Sequence, residues 1–285
     1  MSLIVEHPGL FTTLQDLGRP GYAHFGVTTS GAADRSAHGA ANRAVGNPAS
    51  AATLELTLGG LVASLDASAY AGRWMSLTGA PAPVTVDGEP VSARAFWLPA
   101  GSTLSIGTPP AGMRSYLAVD GGFSAPEVLG SVSWDSLARI GTPPLVAGQS
   151  VATGPPSQGS PVAAPARVHA VTPVVEFHWG PRHDVFSQHD LVLFATTRWR
   201  VSTETNRVGV RLEGAILDSR NGSLPSEGAV VGAIQVPPSG EPIVFLADHP
   251  VTGGYPIIGV VAEAHLWQLA QATPGTGVRF MPVAR

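Results

Sequence analysis

The chain has 285 residues, room for one large domain or two of ordinary size, and only 13% of them are charged against about 25% in ordinary globular chains. A formal net charge of −4 offers no basic field to a nucleic-acid backbone. All 16 basic residues are arginine and cysteine is absent, which excludes a phosphate-binding loop ending in Gly-Lys-Ser/Thr, a Schiff-base or biotin-carrying lysine, thiol nucleophiles, disulfides and zinc–thiolate sites.

With so few charges, the surface is expected to be rich in Ala, Gly, Ser, Thr and Pro, or to be covered in part by another protein. The start, MSLIVEHPGL, has neither a basic lead nor a long apolar run, and no run of 18 apolar residues follows. These features predict no signal peptide and no membrane span, and with the missing thiols they suit a cytoplasmic setting.

In chain order, a first short strand is predicted over 3–6. Residues 9–60 then crowd Gln15, Asp16, Arg19, Tyr22, His24, Asp34, His38, Asn42, Arg43 and Glu55 among glycines and small residues. This stretch reads as a loop-rich polar surface running into two helices. The first helix is predicted over 32–45, with Gly46 as its stop. It sets Asp34, His38 and Asn42 on one polar stripe. Asn47-Pro48 signals a second short helix over 48–55. Arg19, between Gly18 and Pro20, is a rigidly presented cation. Asp34 is a candidate for proton transfer with His38, or a helix-start anion.

Beyond that stretch, 34 glycines and 26 prolines punctuate short Val-, Thr- and Leu-rich runs. Strands are predicted at 61–65, 74–78, 84–86, 95–98, 103–107, 114–119, 174–178, 198–203, 208–212, 230–236, 243–247, 257–261 and 278–283. Turn-then-strand segments at 99–107, 146–154 and 273–283 suggest two related barrels, so the fold is predicted to be mainly β with a few short helices. The remaining helices are 187–195, opened by Ser187 with Asp190 in a capping-box-like start, and 262–272. The uncharged, Pro-rich stretch 155–166 is the expected linker between a module over 1–154, including the helical segment 32–55, and a module over 167–285.

A second polar stretch spans 204–256. Asp248 and His249 follow an apolar run, where a sheet would present a catalytic pair; a polar turn is the plainer explanation. If 207–212 is a strand, Arg207 and Arg211 project to one face and can grip one anion. Glu227 precedes the run 229–236 and Gln235 lies near its end, so Glu227 is a candidate base or magnesium ligand, or a partner for Arg211. Thr252, Gly253, Gly254 and Tyr255 form a glycine-centred turn whose N–H groups would face a ligand anion. His178 and His183, separated by Pro181, make a poor metal pair, and no Gly-x-Ser-x-Gly elbow supports a serine hydrolase.

Residues 9–60, 130–141, 206–214, 226–256 and 270–280 together resemble, nearly end to end, the allophanate hydrolase subunit 2 family. That family includes the C subunit of ATP-dependent 5-oxoprolinase, the KipA antagonist of a kinase inhibitor, and part of the carboxyltransferase region of urea carboxylase. Relatives place a lysine after the Gly-Gly-Tyr-Pro motif, where this chain has Ile257.

The resemblance implies two cyclophilin-like β-barrel modules and a subunit 1 (KipI-like) partner, with a LamB-like third subunit. It implies ATP- and Mg2+-dependent handling of a small amide such as 5-oxoproline, and biotin would have to be carried by another chain. Arg19, Asn42, Arg207, Arg211, Gln235, Thr252, Gly253, Gly254 and Tyr255 are then the candidate substrate or phosphate binders. Asp34, Glu227, Asp248 and His249 are the candidate catalytic groups, and no resident metal site is expected. Two other functions are open: a carboxyltransferase module, or a non-catalytic regulator.

Overall fold

Thr, Val, Leu and Ile alternate with polar residues in runs of three to seven between glycine turns, and such runs can bury one face only by pairing into sheets. The computed structural model describes residues 1–67, 71–156, 173–218 and 224–283. It is mainly β, with a few short helices. The chain divides into two units, one of Met1–Arg19, Ser30–Asp135 and Arg139–His169, the other of Pro20–Thr29, Ser136–Ala138 and Ala170–Arg285. Of the expected linker, 157–166 lies outside the described residues.

In the first unit, one antiparallel sheet has seven strands in the order Phe123–Ser124, Ser150–Thr153, Ser2–Pro8, Leu61–Leu65, Thr103–Ile106, Val84–Val86 and Glu89–Pro90. The other has five: Phe11–Gln15, Thr53–Thr57, Arg114–Val119, Arg73–Gly79 and Phe96–Leu98. Both sheets contribute to one core, including Leu3, Val5, Leu54, Leu56, Leu61, Leu104, Ile106 and Leu117. Each fully buried leucine or isoleucine there contributes about 1.5–3 kcal/mol by leaving water.

Strand Arg114–Val119 is buried along its whole length because its two faces have different neighbours. Leu117 and Val119 enter the common core. Tyr116 and Ala118 point the other way and pack with Ala37, Ala41 and Val45 of helix α1 and its end, α1 being Arg35–Ala44. The alanine face of α1 lets the helix lie close to the sheet, so a larger residue at Ala41 would overpack it by about 1–3 kcal/mol. Asp34 caps the helix through Ala37 N, and Gly46 at φ 76° ends it in the left-handed conformation that glycine adopts without strain.

The second helix expected at 48–55 does not form. Asn47 is instead a loop brace: its side chain donates to Val119 O at 2.8 Å and accepts from Gly121 N at 2.8 Å. The β-branched Thr53 and Thr57 then bound a strand paired on both sides. Phe11–Gln15 is another strand that the sequence pattern does not announce. The stretch that reads as a polar surface is thus largely interior: Gln15, Arg19, Asp34, His38, Asn42 and Glu55 are all buried.

The second unit holds a closed barrel, running Val174–Trp179, Ile257–Val261, Ala233–Gln235, Ile243–Phe245, Gly209–Glu213, Trp199–Val201 and Gly277–Pro282. It closes through a parallel pairing of the last strand with the first, Val175 opposite Phe280. Helix α2, Gln188–Thr196, starts at Ser187, whose hydroxyl accepts from Asp190 N at 3.1 Å. Its Phe194 joins an aromatic cluster, with ring centroids 5.2 Å from Phe177 and 5.0 Å from Phe280, so the barrel is filled rather than hollow. The last helical stretch is a 3-10 turn, Glu263–His265, running into α3, Leu266–Gln271.

Candidate active site

Most of the polar groups expected to meet a ligand meet the protein instead. In the first unit, Asp34 Oδ1 accepts from Ala37 N at 3.0 Å and from the Ser36 hydroxyl at 2.7 Å. The Tyr116 hydroxyl accepts from Asp34 N at 2.7 Å and donates to Glu55 Oε2 at 2.8 Å. Glu55 also accepts from Ala33 N at 3.0 Å and faces Arg114 at 3.6 Å. Burial, together with the charge of Glu55, pushes the Tyr116 phenol well above its usual range, so it stays a neutral bridge.

His38 does not bond the Asp34 carboxylate. Its ring reaches the Thr53 hydroxyl at 2.9 Å and Ala49 O at 2.8 Å, and burial holds its pKa below 6.5. Asn42 donates to Ala51 O at 2.7 Å and accepts from Asn47 at 3.1 Å. His38 and Asn42 therefore bind the loop after α1 to the helix. Arg19, also buried, donates to the carbonyls of Val128, at 3.2 Å, and of Ser133.

In the second unit, Arg207 grips Asp248 with two hydrogen bonds of 2.8 and 2.9 Å. Both side chains are buried, and Asp248 Oδ2 also accepts from Ser136 N at 2.9 Å and from its hydroxyl at 2.7 Å. The expected strand begins only at Gly209, so the period of two does not carry Arg207 onto the face of Arg211. Arg211 is exposed and lies 3.7 Å from Glu204. The two guanidinium groups do not converge. His249 is buried, its ring stacked on Phe245 at 5.9 Å and 2.7 Å from Pro250 O.

The remaining predicted residues do gather. Outside the barrel wall, Glu227–Gly228 pairs with Thr252–Gly253 as a two-stranded ribbon. A shallow, open cleft is lined by Pro225, Glu227, Gly228, Ala229, Gln235, Gly253, Tyr255 and Ile257. Ile234 and Val236 point into the barrel core, so Gln235 between them faces outward. Gln235 stands opposite Ile257, while Ile234 stands opposite Gly259. This bulge leaves Ile258 without an opposite number, and Ile258 turns into the core. The bulge aims Gln235 and Ile257 at the cleft together.

Gly253 makes the close approach possible, because a Cβ there would lie 2.7 Å from Gln235 Nε2. Gly254 accepts from Leu224 N at 2.7 Å to extend the ribbon, Thr252 is exposed, and Tyr255 is 41% exposed. Glu227 is bound by Arg182, with Nε at 2.8 Å, and the side chains are 34% and 43% exposed. That hydrogen bond holds the Glu227 carboxyl below its usual range and raises the arginine.

Arg182 is not among the residues that the sequence singles out. Its segment, around His178 and His183, stands out there only as a poor metal pair, and nothing in the local pattern marks a contact made across 45 positions. Glu227, the candidate magnesium ligand, and the candidate catalytic carboxylates Asp34 and Asp248 do not fit an ion: Asp34 caps a helix, and Asp248 and Glu227 each bind an arginine. Among the described residues no three His, Asp or Glu side chains cluster as metal ligands.

Residues 25–282 match the family model described as carboxyltransferase domain, subdomain A and B. The chain belongs to that family. It is 36% identical to the 5-oxoprolinase C subunit of Escherichia coli (strain K12) over 284 residues, spanning 98% of this chain and 90% of that one. The fold of the family is also that of the crystallised protein TTHA0988, with a TM-score of 0.89 and 34% identity over 98% of this chain. Kluyveromyces lactis urea carboxylase superposes with a TM-score of 0.91 and 28% identity over 99% of the chain. The chain spans only 55% and 27% of those two crystallised proteins. Among the described residues no helix is long and apolar enough to cross a membrane.

Proposed function

We propose that this chain is one subunit of a heteromeric 5-oxoprolinase, acting with a subunit 1 (KipI-like) protein and a LamB-like third subunit in the cytoplasm. One observation carries the reading: 36% identity runs over 98% of this chain and 90% of a protein named as the C subunit of 5-oxoprolinase. The reaction opens the lactam of 5-oxoproline to glutamate at the expense of ATP, with Mg2+ as the nucleotide's cofactor. A lactam carbonyl is a poor electrophile, and transfer of the γ-phosphoryl group to its oxygen turns that oxygen into a leaving group. Water then adds at the carbon, the ring C–N bond breaks with the nitrogen leaving as the protonated amine, and a second water hydrolyses the resulting acyl phosphate to glutamate and phosphate.

The chemistry belongs to the assembled complex. The acidic groups of this chain are engaged with arginines and helix N–H groups, so we assign ATP and its magnesium to the complex rather than to Asp34, Glu227 or Asp248. The test is reconstitution: the three purified proteins together should consume ATP only when 5-oxoproline is added and should release glutamate. A fully assembled complex without turnover rejects the reading, and leaves the regulator role.

A second reading, carboxyl transfer from biotin held on another chain, is favoured by the superposition on urea carboxylase. It predicts decarboxylation of free carboxybiotin by this chain in the presence of a small amide; inertness toward carboxybiotin sets it aside.

A further inference from the structure

Among the buried, described polar side chains of the two stretches singled out in the sequence, Gln235 is the exception. It is 8% exposed, it faces the cleft, and its amide hydrogen-bonds to no other described residue. A primary amide so nearly enclosed normally has partners inside the protein. The glycine opposite leaves its amide room, and the bulge beside it turns it and Ile257 toward the same space. Three features thus present a donor–acceptor pair that no described residue engages to a shallow, open cleft.

The charges around that pair narrow what it can receive. The lining residues include one carboxylate, Glu227, and no arginine or histidine. Arg182 neutralises that carboxylate from alongside, and keeps it ionised. A phosphate entering here would meet an anion whose counter-charge is already engaged. A neutral ligand edge would not.

We propose that this cleft takes the uncharged edge of a small cis-amide, a lactam or cyclic ureide, and that Gln235 sets its specificity. The proposal deepens the 5-oxoprolinase reading and rests on it for the identity of the lactam. In a primary amide one N–H lies on the same side as the C=O, and in a lactam ring the N–H and C=O are likewise side by side. The two edges therefore close a double hydrogen bond, each donating once and accepting once. An open-chain trans amide, with N–H and C=O opposed, cannot make that pair. Ile257 and Ala229 supply apolar walls against the ring methylenes, and Tyr255 stands at the rim.

The decisive experiment compares 2-pyrrolidinone with N-methyl-2-pyrrolidinone, the same ring without the N–H, by ligand-observed NMR titration of the full chain. The unmethylated lactam should bind saturably and compete with 5-oxoproline, and the N-methyl compound should bind about ten- to a hundredfold more weakly, the loss expected when buried polar groups are left unpaired. Inorganic phosphate should not compete. Gln235→Met should bring the two lactams to equal, weak affinity, and Gly253→Ala should weaken the unmethylated lactam alone.

Equal binding of the two lactams to the wild type, absence of saturable lactam binding, or displacement by phosphate overturns the proposal without any variant having to fold. The two readings fail separately. A complex that turns over 5-oxoproline with undiminished lactam selectivity in Gln235→Met removes Gln235 and keeps the 5-oxoprolinase role. Selective lactam binding by a complex that never consumes ATP keeps the cleft and removes the 5-oxoprolinase reading.

Discussion

The buried polar network under α1 and the cleft beside Gln235 are built from the same kinds of groups, and they differ in where those groups find their partners. Under α1, the Tyr116 hydroxyl bridges Asp34 N and Glu55, His38 lies between Thr53 and Ala49, and Asn42 joins Ala51 to Asn47. These side chains are satisfied from within, which makes the network a structural device, because buried polar groups are stable only when paired. In the cleft, a buried amide is left facing open space. Density of polar residues therefore does not distinguish a site from a brace; the location of the partner does.

The comparison is most severely tested at the Arg207–Asp248 pair, which belongs with the braces although the sequence points to it as a ligand contact. Removing one partner leaves a buried guanidinium uncompensated, so Asp248→Ala should lower stability by about 3–5 kcal/mol in urea denaturation. A loss below about 1 kcal/mol would mean that water reaches the arginine, and would return the pair to the set of possible ligand contacts. Tyr116→Phe comes next. It deletes only the oxygen between Asp34 N and Glu55, and should cost about 1–3 kcal/mol with lactam binding unaltered. A drop in lactam affinity there would blur the division between brace and site.

His38 offers a test by pH. Its folded pKa lies below 6.5 because burial disfavours the charged ring. Above about pH 6.5 both folded and unfolded chains hold it neutral, and its contribution is fully present. As the pH falls below that value the unfolded chain takes up a proton first, so stability is lost progressively down to the depressed folded pKa, at no more than about 1.4 kcal/mol per pH unit. Urea midpoints measured from pH 8 to pH 5 should fall for the wild type and flatten in His38→Gln. An unchanged slope would mean that the ring is protonated in the fold.

How much of this is legible in the sequence follows the range of the interactions. Strands 61–65, 84–86, 114–119 and 257–261 have the bounds expected of them, because each is an apolar run closed by glycine or proline. The capping pair Ser187–Asp190 is local and equally readable. Asn47-Pro48 carries a helix-start signal, yet its partners are Val119 and Gly121, some seventy positions away, and no local pattern encodes them. Remote partners likewise hide the buried state of Arg19 and Arg207, since an arginine that donates to distant carbonyls or to a distant carboxylate looks like any other arginine in the sequence. The sequence marks Gln235 and Gly253 as candidates and the structure sets both on one cleft, whereas the bulge that aims Gln235 and the Arg182 bond to Glu227 depend on strand register and on chain closure.

Arg211 supplies the smallest expected effect and the sharpest contrast with Arg207, four residues earlier in the same arginine pair. Its side chain projects from strand Gly209–Glu213 into solvent, 3.7 Å from the exposed Glu204. Water and salt screen such a pair, and holding two long side chains together offsets most of what attraction remains. Arg211→Ala should therefore change stability by less than about 0.5 kcal/mol, and leave both lactam affinity and the turnover of the assembled complex within about twofold of wild type. Stability and turnover separate the two roles a surface arginine can have. A tenfold fall in turnover with stability intact would make Arg211 a contact for ATP or for a partner protein, and would show that solvent exposure in the isolated chain, like polar density in the sequence, is insufficient to assign a residue to the site.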